Sequence, residues 1–186
     1  INKFKIIYSY HTQPIGIKEA FKDSFLNLPK NLNTFLTMDC DLNHNPIDSK
    51  PFFEKINDGI DVIVGSRYCR GGKIIGMPIW KRTLSISFNK IISIILRFNI
   101  IDKTSGYRLI RHDNLLDIIN KTNSHGFPFY SEFLFYLKKD NKKLLELPIT
   151  FNKRTIGVSK MRIFRTVLDY LYLFYLIFFK IKKWKN

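Results

Sequence analysis

Residues 35–38 form a short apolar run without turn residues, and it stops at two carboxylates, Asp39 and Asp41. Such a run is the pattern of a buried strand. In extended chain, residues two apart point to the same side. Both carboxylates therefore aim at one spot beyond the strand's carboxyl end, and Asn43 can follow them. In open α/β sheets that crevice is where ligands bind. Two hard oxygen ligands at such an edge suit Mg2+ or Mn2+ carrying a diphosphate. The same pattern also makes a plain turn, with Asp41 or Asn43 capping the next helix.

The surrounding chain reads as alternating strands and helices. Residues 5–10 predict a strand, and residues 16–28 an amphipathic helix with Ile17, Ala20, Phe21, Phe25 and Leu28 on one face. After a turn over 29–33 the strand that ends at the carboxylates follows, as the central one. Residues 51–57 predict a helix closed by Asp58-Gly59. Residues 61–65 (D-V-I-V-G) predict another buried strand, which ends in Ser66-Arg67-Tyr68. This order predicts the α/β class, a parallel sheet covered by helices. Gly71-Gly72 marks a loop. A long helix over 79–98 carries an apolar stripe of Trp80, Leu84, Phe88, Ile91, Ile92, Ile95 and Phe98. Ile86 and Ile94 form a second apolar line, more than one core contact needs. A polar turn over 102–108 leads into a short strand. Helices are expected over 115–119 and 129–138, and an edge strand over 144–151 with Pro148 inside it. There is no internal repeat and no low-complexity linker.

Composition narrows the partners. The 186 residues are 45% hydrophobic, which describes a globular chain rather than a disordered one. Thirty-one Lys and Arg against 15 Asp and Glu give a formal charge of +16. Such a surface seeks nucleic acid, anionic lipid or phosphorylated substrates. The basic residues lie in compact motifs and beside apolar runs, not among exposed stacking aromatics, which argues against nucleic acid. Cys40 and Cys69 make no metal or disulfide pattern, as in a reducing compartment. No signal peptide is visible, and the opening on Ile1 without an initiator Met suggests a chain cut from something longer.

The end of the chain differs in kind. Residues 170–179 are ten apolar residues in a row, followed by a basic stretch that contains Trp184. A membrane span needs about 20 apolar residues. The segment over 161–186 thus reads as an interfacial helix with a basic end, appended to a domain over 1–160. A core helix with a solvated tail and a truncated membrane span are the other two readings.

Four blocks, in this order, carry a family resemblance: M-D-C-D-L-N-H-N-P at 38–46, G-S-R-Y with Gly71-Gly72 at 65–72, T-S-G-Y-R-L at 104–109, and R-T-I-G-V-S-K at 154–160. With them the chain resembles the dolichol-phosphate (polyprenol-phosphate) mannose synthases of glycosyltransferase family 2, which have the GT-A fold. The resemblance implies transfer of mannose from GDP-mannose to dolichyl or polyprenyl phosphate on a membrane surface, at the cytoplasmic face (of the endoplasmic reticulum in a eukaryote). It also implies a small membrane-anchoring subunit among the partners. An anionic acceptor needs no strong base, so the problem is electrostatic: an anion must approach an anionic donor. The resemblance assigns Asp39, Asp41 and Asn43 to a Mg2+ or Mn2+ corner, and Asp39, Asp41, Arg67 and Arg154 to catalysis. It assigns Arg67, Lys81, Ser85, Arg154 and Lys160 to the acceptor phosphate, and matches Glu132 to an acidic position of the family. Arg forks suit phosphate; Lys81, where relatives often carry Arg, keeps the charge without the fork, and Arg82 is adjacent.

The family also opens with strands ending in P-T-Y-N-E and D-D-G-S, which form the nucleotide pocket, and neither is present. The expectation is therefore a partial GT-A (Rossmann-like) domain lacking its first two strands, with amphipathic helices that meet a membrane. A transferase using another sugar nucleotide, or a non-catalytic remnant that binds membranes or a partner, would carry the same blocks.

Overall fold

The computed structural model describes residues 10–29, 31–97, 99–111, 115–153 and 163–182. In chain order the elements are α1 (Ile17–Leu26), β1 (Thr34–Thr37), α2 (Lys50–Lys55), β2 (Val62–Ser66), β3 (Lys73–Ile75) and α3 (Ile79–Leu96). They continue with β4 (Arg108–Arg111), α4 (Leu115–Lys121), α5 (Pro128–Lys139), β5 (Leu144–Pro148), β6 (Thr150–Asn152) and α6 (Ile163–Lys182). The expected strand over 5–10 lies outside the described residues except for Tyr10, which is not in a strand.

The main sheet has the order β1-β4-β2-β5. β4 is antiparallel to both β1 and β2, and β2 and β5 are parallel. The expectation of a wholly parallel sheet is thus corrected, and among the described strands β1 stands at the edge rather than the centre. Alternation of strand and helix along the chain does not reveal a later strand that inserts between two earlier ones. The insertion has one consequence for function. β1 and β2 each run opposite to β4, so they run with one another, and their carboxyl ends share one edge with the start of β4.

β2 supplies the middle of the fold. All five of its residues are buried. Val62 and Val64 join a large cluster with α3, α5 and α6, while Ile63 joins Phe52, Ile56, Tyr107, Leu109 and Ile149 on the other face. That is the two-residue period of a strand covered on both sides. The stretch over 144–151 is two strands, not one. Proline closes β5, the Ile149 N–H donates to the Ser66 carbonyl at 3.0 Å, and β6 then turns away to pair in parallel with β3.

The long helix keeps only part of its expected face inside, and the last helix divides its side chains between core and surface. α3 buries Asn89, Ile92 and Leu96, whereas Trp80 and Ile91 of the predicted stripe are 58% and 46% exposed. α6 packs Tyr170, Leu173 and Ile177 into the core and exposes Leu171, Tyr172, Tyr175 and Phe178. Each of the three buried side chains contributes about 1.5–3 kcal/mol by leaving water. The two helices meet where Phe88 packs on Tyr170, with ring centroids 5.6 Å apart. Among the described residues no helix is long and apolar enough to cross a membrane.

Candidate active site

Asp39 and Asp41 sit just beyond β1, as the sequence predicts. Both oxygens of Asp41 are turned toward Asn43, whose backbone N–H and side-chain amide each donate to them at 3.1 Å. Asn43 is buried, and among the described residues its Oδ1 has no hydrogen-bond partner. A buried acceptor without a donor is costly, and this one lies beside a carboxylate. Hard oxygens of this kind fit a divalent cation. The helical cap belongs to neither residue: Asn45 accepts the Ile47 N–H at 3.1 Å and caps the following 3-10 turn.

His44 braces this corner from below. Its Nδ1 accepts the Asp39 backbone N–H at 3.2 Å, and its ring stacks on Tyr107 with centroids 4.9 Å apart. Burial lowers the His44 pKa and outweighs the pull of the Asp39 carboxylate, so the neutral ring that can accept this bond is favoured. Tyr107 in turn donates its hydroxyl to the Asn45 carbonyl at 2.9 Å. Thr37 donates to the Gly106 carbonyl at 2.7 Å. The T-S-G-Y-R turn thereby holds the loop that carries the carboxylates. Gly106 packs closely there: a Cβ would come within 2.9 Å of the Tyr130 hydroxyl, which would have to shift.

Arg67 leaves the end of β2 and is heavily committed. Its Nε and Nη2 donate to the two oxygens of Asp102 at 2.7 and 2.8 Å, and Nη2 also donates to Thr104 at 2.8 Å. The guanidinium carbon lies over two aromatic rings, 5.0 Å from the Tyr68 centroid and 5.4 Å from that of Phe151. Burial opposes its charge, but Asp102 outweighs burial and holds the Arg67 pKa above its ordinary value. The Asp102 carboxyl is pushed up by burial and pulled further down by Arg67, so it stays ionised. Gly72 lets the following loop fold back here, because a Cβ would stand 2.7 Å from the Arg67 backbone.

Phe151 joins the two halves. Its ring meets both the Arg67 guanidinium and the His44 ring, the latter at 5.6 Å. The neighbouring Asn152 N–H donates to the Asn43 carbonyl at 2.9 Å. Asp39 is close enough to favour the charge on Arg67. A carboxylate corner and a half-buried arginine thus stand at one sheet edge, joined through the Phe151 ring.

Known proteins share this chain's pattern. It is 32% identical over 154 residues to an undecaprenyl-phosphate mannosyltransferase from Micrococcus luteus, covering 82% of this chain and 63% of that protein. It is 31% identical to a polyprenol monophosphomannose synthase from Mycolicibacterium smegmatis, covering 82% and 58%, respectively. A dolichol-phosphate mannosyltransferase from Pyrococcus furiosus is 31% identical, over 92% of this chain and 44% of its own length. The chain is a homologue of the polyprenol-phosphate mannosyltransferases. It spans less than two thirds of each of these relatives. No protein-family model matches it. Its fold resembles that of glucosyl-3-phosphoglycerate synthase from Mycobacterium tuberculosis, with a TM-score of 0.51 and 11% identity over 85% of this chain and 51% of that one. That synthase was crystallised with Mn2+, UDP-glucose and glycerol 3-phosphate.

The remaining predicted residues of this mannosyltransferase homologue fall in different places. Ser85 is half-buried on α3, and its carbonyl accepts from Asn89, which donates onward to Thr104 at 3.2 Å. A chain of hydrogen bonds therefore links Ser85 to Arg67. Lys81, one turn earlier, is exposed with its Nζ 5.3 Å from the centre of the Trp80 ring. Glu132 serves the fold: it is 1% exposed and accepts the backbone N–H groups of Asn123 and Ser124 at 2.8–3.0 Å. Arg154 and Lys160 lie outside the described residues. Asp102, Asn89, His44 and Phe151 had no role in the sequence reading. Asp102 stands two residues before the T-S-G-Y-R block, but its partner Arg67 is 35 residues away, a separation that leaves no local signal.

Proposed function

We propose that the protein transfers mannose from GDP-mannose to a polyprenyl or dolichyl phosphate, on a GT-A-type domain. An anionic oxygen of the acceptor phosphate attacks the anomeric carbon of the sugar; that C–O bond forms as the bond to the diphosphate breaks, and GDP leaves. Asp39, Asp41 and the unpartnered Asn43 Oδ1 would hold Mg2+ or Mn2+, which when bound supplies positive charge to the diphosphate. Arg67, with Ser85 and Lys81 on α3 and the R-T-I-G-V-S-K block carrying Arg154 and Lys160, receives the acceptor phosphate. What supports this reading is that one sheet edge carries both the Asp39–Asn43 corner, braced by His44, and the positioned Arg67 guanidinium, with the Phe151 ring against both His44 and Arg67.

A membrane surface is the proposed setting. α3 exposes Ile79, Trp80 and Ile94, and α6 exposes Tyr172, Tyr175 and Phe178. Such rows suit an interfacial position with the lipid phosphate at the sheet edge that carries Arg67. A small membrane-anchoring subunit would serve the same end.

The test is mannosyl transfer from radiolabelled GDP-mannose to polyprenyl phosphate with Mn2+ present, by the whole protein. Chelation should abolish it, and Asp41→Asn should lower it on the order of 100-fold or more. Equal transfer from UDP-glucose would move the assignment to another sugar nucleotide. No transfer to lipid phosphate from either donor would refute the reading.

A further inference from the structure

We infer that Asp102 is a positioning residue for the acceptor phosphate: it locks Arg67 so that only the Nη1 edge of the guanidinium remains for an anion. The inference rests on the function proposed above. Arg67 has five N–H donors in a fixed fork. Asp102 takes Nε and one donor of Nη2, and Thr104 takes the other. Asp102 also accepts the Arg67 backbone N–H at 3.1 Å, so the same carboxylate fixes both ends of the side chain. Among the described residues, no hydrogen bond involves Nη1.

The carboxylate is itself held. It is fully buried, and the Thr104 hydroxyl donates to Oδ1 at 3.2 Å while accepting from Arg67 and Asn89. The loop beneath is pinned from β5, where Glu146 accepts the backbone N–H groups of Ile101 and Asp102 at 2.9 and 2.7 Å. The guanidinium carbon lies over the Tyr68 and Phe151 rings, 5.0 and 5.4 Å from their centroids. The ion pair and Thr104 close the Nε–Nη2 edge to a phosphate. What is left among the fork's donors is Nη1.

This design runs against simple electrostatics, and that makes it testable. Asp102 cancels the charge of Arg67, so a purely coulombic account says that removing the carboxylate strengthens anion binding. A positioning account says the opposite, because a guanidinium freed from its fork partner spends binding energy on being ordered again.

The experiment is calorimetric titration of the whole protein with geranyl phosphate, comparing wild type with Asp102→Asn, Thr104→Val and the double variant Arg67→Met/Asp102→Leu, each checked by its melting curve. The double variant replaces a buried ion pair with apolar groups, which folded proteins commonly tolerate. We expect Asp102→Asn to bind roughly 10- to 100-fold more weakly despite its gain of one positive charge, in the range typical of lost supporting contacts. Thr104→Val should weaken binding in the same sense by a smaller factor, and it decides the matter should Asp102→Asn fail to fold. Equal or tighter binding by a folded Asp102→Asn, or unchanged binding by Thr104→Val where only that variant folds, overturns the positioning role. Wild-type binding by the double variant instead shows that Arg67 does not hold the phosphate, and the proposed use of Arg67 falls with it.

Discussion

Asp39 leaves 48% of its side chain in solvent, whereas Asp102, at the same sheet edge, exposes none. On the function proposed above, the two carboxylates are two ways of preparing a site. The corner around Asp39 is left unfinished: the Asp39 side chain is half exposed, and among the described residues Asn43 Oδ1 is buried without a hydrogen-bond partner. The cluster around Arg67 is filled except at Nη1: Arg67, Asp102, Thr104 and Asn89 bond one another. A cation that comes and goes with a substrate needs open oxygens whose charge is neutralised only when it binds. A guanidinium that must meet a phosphate in one orientation needs its other donors occupied beforehand.

The comparison breaks most visibly on the buried side. Arg67→Ala strips Asp102 of its partner and should cost about 3–5 kcal/mol of stability, the range for removing one member of a buried pair. Urea denaturation with an unchanged m-value measures it. A loss under about 1 kcal/mol would mean that water reaches Asp102 freely and that the cluster is not the closed unit it looks.

On the open side the loss should appear only with metal. Asp39→Asn should change stability in metal-free buffer by no more than about 0.5 kcal/mol, as at a surface position. Wild type should gain about 2.7 kcal/mol at a Mn2+ concentration about 100 times its Kd. The variant should forfeit most of that gain. Melting curves with and without Mn2+ read both quantities, and an equal metal-induced shift in both proteins would remove Asp39 from the ligand set.

The smallest effect sharpens the contrast through pH. Lys103 is buried beside Asp102, with its Nζ donating to Ser93 Oγ and to the Ile100 carbonyl, and burial lowers its pKa to about 8 from 10.5. Below about pH 8 this lysine is charged in both the folded and the unfolded chain. Between about 8 and 10.5 the unfolded chain still binds the proton and the folded chain does not, so stability rises with pH in that window. The gain from about pH 7 to 9.5 should be on the order of 1–2 kcal/mol and should vanish in Lys103→Met. A variant with the same pH slope as wild type would place the titration elsewhere.

Local pattern was enough for the strand that ends at Asp39 and Asp41, the buried run of β2 that ends at Arg67, and the extents of α1, α3 and α5 to within a few residues. These are local matters: apolar period, caps and turn residues act over one or two turns of chain. The motif order also led to the mannosyltransferase resemblance that homologues over most of the chain support. Tertiary structure decided what local pattern cannot carry. β4 slips between β1 and β2 because strand order is set by which faces can be buried together, not by succession along the chain. The outward face of α3 and the double role of α6 depend on which neighbours arrive to cover them. Asp102 became a partner of Arg67, and Phe151 a bridge to His44, only because folding brings distant residues within a few ångströms; the energy that fixes those pairs, burial of opposite charges and stacking of rings, does not exist until the chain has closed around them.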